Sequence, residues 1–199
     1  MTEGCDIAFR VVEIIAETQQ SRTQGLDAFS LSLIRCEGQL RRLFTNLVFQ
    51  ASAFDRTHVD QLKAALAARS TIYFRHFKIG IEELSGVALS ELVNDFDSLS
   101  ERLAVATGYR NKLFHGQLTG SSLQTDELLS IARDIRLWCG RLSDGAEVRF
   151  GYDGFSGSSF CKRGIDDMTR SVDARIASVA DYETLLGNLP ALWKKSQEA

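Results

Sequence analysis

One apolar stripe constrains this chain more than any other feature. Leu26, Phe29, Leu33, Cys36, Leu40, Leu43 and Leu47 step by three and four residues. That spacing keeps one side of a 3.6-residue helix apolar; a half-buried strand would instead alternate residue by residue. It predicts one long helix running to about Phe54, with Arg35, Glu37, Gln39, Arg41 and Arg42 on the other face. A single proline in 199 residues agrees, since proline breaks helix interiors.

The same period recurs. Residues 5–20 read as a short amphipathic helix with Ile7, Val11, Ile14 and Ile15 on one side. Thr57 as N-cap, with Asp60 as its capping-box partner, opens a third helix that runs to about Ser85. Its expected inward residues are Leu62, Leu66, Tyr73, Phe77, Ile81 and Leu84, and Gly86 stops it. A fourth helix starts near Ser90, and a fifth runs from about Thr125 to Leu142 on Leu128, Ile131, Ile135, Trp138 and Leu142.

After Gly145 the pattern changes. "AEVRFGYDGFSGSSFCKRG" alternates and is rich in Gly, Ser and aromatics. It predicts a β-hairpin, roughly 146–152 against 157–163, with Asp153-Gly154 in the turn. The last 35 residues are expected to be helical and to dock through Leu185, Leu189, Leu192 and Trp193. The expected fold class is all-α. An antiparallel bundle spans 1–145, its core about 26–144, and the hairpin and helical tail of 146–199 pack on it.

With 23 basic and 26 acidic residues the chain has a formal charge of -3, so no global positive field advertises nucleic-acid binding. The four cysteines, at 5, 36, 139 and 161, form no CxxC pair, and no zinc or redox motif is readable. Cys36 and Cys139 fall on apolar stripes and are expected to be buried thiols. The first twenty residues resemble neither a signal peptide nor a membrane span, which leaves a cytoplasmic protein without membrane contact as the expectation.

The fourth helix carries an anomaly. Its stripe is Leu89, Leu92, Phe96, Leu99, Leu103 and Ala106, and the next steps reach Arg110 and Leu113. A permanent cation therefore stands where the pattern expects a hydrophobe, and burying it unpaired costs several kcal/mol. A carboxylate, backbone carbonyls, water in a cleft or a bound phosphate must meet it. Five residues on, His115 would point about 140° away from Arg110 on an unbroken helix. Either the helix distorts or ends near Gly116, or two chains assemble the site across a two-fold axis.

The stretch "RNKLFHG", residues 110–116, resembles the Arg-(polar)-x3-His signature of the HEPN superfamily, in which Asn often follows the Arg, as Asn111 does here. Helical bundles of this size are the family's fold. The resemblance implies a metal-independent endoribonuclease, of toxin or antiviral defence type, with paired motifs meeting in a homodimer cleft. It implies no cofactor; RNA as the substrate partner; and an antitoxin or defence-system protein as a further partner. His115 would act as general base or acid, as a group titrating near neutrality can. Arg110 would stabilise charge at the phosphorus, Asn111 would orient the His or the phosphate, and Lys112 would contact the RNA backbone. One departure stands out: Gln117 occupies the place of the Tyr that receives AMP in the toxin branch paired with nucleotidyltransferases. Silencing by that modification is not expected here. The alternative is a HEPN-like binding or assembly module without catalysis. A third reading is a structural helical protein whose Arg110 pairs with an acidic residue.

Other residues carry less. Arg35 and Arg42, seven apart on one helix face, are candidates for tracking phosphates. His58 reads as exposed at a helix start. "YFRHFK", around His76, offers a basic, aromatic-flanked patch, though burial of Tyr73 and Phe77 with Arg75, His76 and Lys78 in solvent is the plainer expectation. "GYDGFSGSSF" lacks the GKS/T ending of a P-loop and reads as turn chemistry.

Overall fold

A computed structural model describes residues 2–18, 21–114 and 124–197, with 111–114 described by their backbone. Among the described residues the fold is all-α: helices α1 (Glu3–Glu17), α2 (Gln24–Gln50), α3 (Val59–Ala67), α4 (Phe74–Ser85), α5 (Leu89–Leu92), α6 (Phe96–Phe114), α7 (Thr125–Phe150), α8 (Asp166–Asp173) and α9 (Val179–Ser196). None of these helices is long and apolar enough to cross a membrane.

The predicted long stripe builds the spine. Along α2, Phe29, Leu33, Cys36, Leu40, Leu43 and Leu47 are all buried, and the helix packs along α7, α4 and α1. Phe44 stacks on Phe77 of α4 and Tyr182 of α9, with centroids 5.7 and 6.3 Å apart. Gly80 of α4 lets that ring approach, since a Cβ there would lie 2.6 Å from it. Leu189 is buried, and Leu185 and Leu192 pack on the core, as the tail's apolar spacing predicts.

On α1 the packed side is Cys5, Phe9 and Val12. Ile7, Val11 and Ile14 do share a side, but it faces outward, with Ile7 66% exposed.

The predicted third helix is two helices. Leu62 and Leu66 are buried on α3, but no hydrophobe occupies the next turn, where Arg69, Ser70 and Thr71 bend the chain into α4. Tyr73 sits at that bend, 47% exposed rather than inward. The capping residue is Asp55, not Thr57: its carboxylate accepts the Thr57 N–H at 2.9 Å and holds His58 Nδ1 at 2.9 Å, and a 3-10 turn, Arg56–His58, precedes α3. Thr57 and His58 hold the Asp55 carboxyl down at about 2. Gly86 does end α4, in the left-handed region with φ 67°. The fourth helix breaks after one turn, where Asp95 takes φ 60°, so α5 and α6 share the predicted stripe.

The β-hairpin is not there. No strand occurs among the described residues, and 146–150 continue α7. Gly145 is a packing position rather than a boundary: a Cβ on it would lie 2.1 Å from the Leu92 carbonyl oxygen, so α5 can rest against α7 only over a glycine. Ala146 and Phe150, one turn apart, are buried, and Gly151 caps the helix with φ 64°.

The loop of residues 152–164 is fixed without a strand partner. Side chains of α2 supply the hydrogen bonds that a hairpin ladder would have made. Gln39 Nε2 donates to the carbonyls of Cys139 (3.0 Å) and Asp153 (3.1 Å). Asn46 Nδ2 donates to Ser159 O at 2.9 Å, and Gln50 Nε2 donates to Cys161 O at 3.0 Å while its Oε1 accepts the Arg163 N–H at 2.8 Å. Gln39, expected on the outer face, is therefore fully buried. The turn at Asp153-Gly154 exists as a side-chain turn: Asp153 Oδ1 accepts the N–H groups of Phe155 (2.8 Å) and Ser156 (2.7 Å), and Oδ2 accepts the Thr2 hydroxyl at 3.0 Å. That carboxylate thereby pins the N-terminus of α1 to the loop.

Candidate functional site

Arg110 lies one turn before the end of α6, a helix that packs on α7 and touches α2. The stripe positions before it, Leu99, Leu103 and Ala106, are buried. Arg110 itself is 39% exposed by side chain, and its Nη2 lies 3.7 Å from Oε2 of Glu37 on α2, which is 40% exposed. A carboxylate is thus one group that meets the cation. At 3.7 Å the pair is ionic rather than a hydrogen bond. Exposed to this degree it contributes at most about 1 kcal/mol. The guanidinium thus reaches the surface at a seam between two helices, loosely held, with donors left over among the described residues. Glu37 is the residue that sequence reasoning missed in this role: it stands on the outer face of α2, and only tertiary packing brings it to Arg110.

Asn111 and Lys112 continue the helical backbone of α6. His115, with Gly116 and Gln117, lies outside the described residues, as does the predicted distortion of the helix at that point.

The other sequence candidates fall elsewhere. Arg42 donates from Nε to the Tyr152 hydroxyl at 2.8 Å and from Nη2 to the Gly157 carbonyl, so its guanidinium holds the loop. Arg35, two turns earlier on the same side of α2, is half-buried, and its Nε has no hydrogen-bond partner among the described residues. Glu37 is about 140° around the helix from Arg42, so Arg35 and Arg42 do not converge on Arg110.

Two of the three histidines have structural employment. His58 belongs to the Asp55 cap. His76 is buried, its Nδ1 accepts the Tyr73 N–H at 3.0 Å, and its ring meets Trp193 edge-on at 6.3 Å. Burial, helped by the Arg75 cation, pushes the His76 imidazole below its ordinary pKa, so it stays neutral at physiological pH. The basic, aromatic patch is largely spent internally: the Arg75 guanidinium lies 4.1 Å from the Trp193 ring centroid, and Lys78 sits over Phe96. His76 is inward and Tyr73 outward, the reverse of the plainer expectation.

Two of the buried thiols, Cys5 and Cys139, are poor nucleophiles. Cys5, Cys36 and Cys139 are buried as a group, and Cys161 is exposed. Burial, with Asp6 nearby, pushes Cys5 up to about 12, and burial together with a hydrogen bond to Cys36 raises Cys139 well above its ordinary value. Among the described residues no group of three or more His, Cys, Asp or Glu is placed to hold a metal ion.

Comparison with known protein families, with curated proteins and with solved structures returned no match for this chain.

Proposed function

We propose that the chain is a HEPN-type endoribonuclease that cleaves RNA without a metal, acting as a homodimer in a toxin or antiviral defence setting. The observation that supports this reading best is Arg110. It follows three buried apolar positions of a core helix, yet it reaches the surface, directly before Asn111 and five residues before His115. RNA carries its own nucleophile. The 2′-oxygen attacks phosphorus, its proton passes to a base, and the bond to the 5′-oxygen breaks as that oxygen receives a proton. The products are a 2′,3′-cyclic phosphate and a 5′-hydroxyl. His115 moves the protons, and Arg110 meets the charge gathering on the phosphoryl oxygens. Asn111 orients the His or the phosphate, and Lys112 contacts the backbone. With His58 and His76 committed to structure, His115 is the histidine left for proton transfer.

The Glu37 contact favours a second reading, in which Arg110 only ties α6 to α2. Incubating pure protein with mixed RNA in EDTA, followed by end-group analysis, separates the two. The nuclease reading expects cyclic phosphate ends that vanish in His115→Ala and Arg110→Ala but persist in Glu37→Gln. Cleavage that survives both of the first two substitutions removes the site assignment.

A further inference from the structure

A second surface feature lies on α2, starting one turn after Glu37. The middle of α2, the end of α3, the 152–164 loop and Tyr182 of α9 enclose an open cleft of 340 Å³. That is at the small end of ligand pockets, which run from roughly 300 to 1,000 Å³. Its floor is apolar: Val48, Leu66, Phe160 and the otherwise buried Tyr182.

The charged residues that line it are all cations: Arg41, Arg42 and Lys63, with no carboxylate among the lining residues. They are not equivalent. Arg42 is bound to Tyr152 and Gly157 and contributes charge but few free donors. Arg41 is exposed and makes no hydrogen bond or ion pair among the described residues. Lys63 lies over the Phe160 ring at 5.4 Å and reaches a carboxylate only loosely, Asp60 at 3.9 Å. Two rim cations with unspent donors therefore stand over an apolar floor.

Two of the uncharged polar groups are already occupied. The Thr45 hydroxyl donates to Arg42 O at 3.1 Å, and the Ser159 carbonyl accepts from Asn46. That leaves the Ser159 and Tyr182 hydroxyls, too few to read the edge of a nucleobase, which needs several fixed donors and acceptors.

We infer that this cleft binds a small organic anion with an apolar body, of the medium-chain carboxylate class, its head between Arg41 and Lys63 and its chain against Val48, Leu66, Phe160 and Tyr182. The inference does not rest on RNA cleavage, and its test reads binding alone.

The test is calorimetric titration of the full chain with decanoate, kept below the concentration at which decanoate self-associates. One saturable site is expected. Acetate has the head without the body, decanol the body without the head, and decyltrimethylammonium the wrong charge; each should bind at least about tenfold more weakly, since head and body both contribute. The double variant Arg41→Gln, Lys63→Gln should weaken decanoate by about tenfold. Ala67→Trp, an exposed lining position at the end of α3, should close the cleft and abolish binding while circular dichroism stays unchanged. Non-saturable uptake overturns the inference, as does tighter binding of AMP than of decanoate, or decanoate binding untouched by both variants.

Discussion

Polar residues interrupt the apolar faces of two core helices in this chain, and the interruptions mean opposite things. On α2, Gln39, Asn46 and Gln50 lie in one line and are buried, and each holds the 152–164 loop through at least one backbone contact of 3.1 Å or shorter. On α6, Arg110 holds one carboxylate at 3.7 Å and remains 39% exposed. The amide donors of the first set are consumed by structure. Among the described residues the second has capacity to spare. A polar residue on a core stripe becomes a functional candidate when its partners are few and its access to solvent is kept.

The contrast breaks most sharply on activity. His115→Ala and Arg110→Ala should each lower RNA cleavage by about 10²- to 10⁴-fold, the range for a lost proton-transfer group or a lost charge at the transition state. Cyclic phosphate end-group assays in EDTA measure it.

Next in size is the buried amide line. Gln39→Ala removes a buried donor from the carbonyls of Cys139 and Asp153, leaving Asp153 O with the Ser143 hydroxyl at 3.2 Å and Cys139 O within the α7 ladder, and should cost about 1–3 kcal/mol in urea unfolding. A loss below about 1 kcal/mol would mean that the loop is not held as described.

Asp153 sharpens the same point through pH. Burial alone would raise its pKa, but the N–H groups of Ser156 and Phe155 and the hydroxyls of Ser156 and Thr2 outweigh that and hold it below the ordinary carboxylate value. Its contribution is therefore complete above the unfolded-chain value, about 3.9, and is lost as pH falls through the lower folded value. Asp153→Asn should cost about 1–3 kcal/mol at pH 7 and flatten the fall in stability below about pH 4, read by urea unfolding across pH. The smallest effect is expected at Glu37→Gln, within about 1 kcal/mol of the parent and with cleavage retained.

The helices of this fold were legible where a stripe was continuous, as along α2, and misread where one position failed. The empty turn at Arg69–Thr71 was visible as a missing hydrophobe between Leu66 and Tyr73, yet the longer pattern bridged it. The hairpin was misread because Gly145 looked like punctuation. Its reason, the carbonyl of Leu92 against α7, is a contact between segments more than fifty residues apart. The line of Gln39, Asn46 and Gln50 could have been found, since amides at steps of seven and four share one helix face. The position of Arg110 on a seam was legible from the stripe alone. Its partner Glu37 was not, because nothing in local spacing pairs α6 with α2.

One paired measurement tests the central claim most directly: the unfolding free energy and the metal-free RNA cleavage of Arg110→Ala, taken on the same preparation. The account predicts stability within about 1 kcal/mol of the parent, as for other exposed ion pairs, with cleavage lost. Destabilisation beyond about 2 kcal/mol with cleavage intact would make Arg110 a structural tie and contradict it.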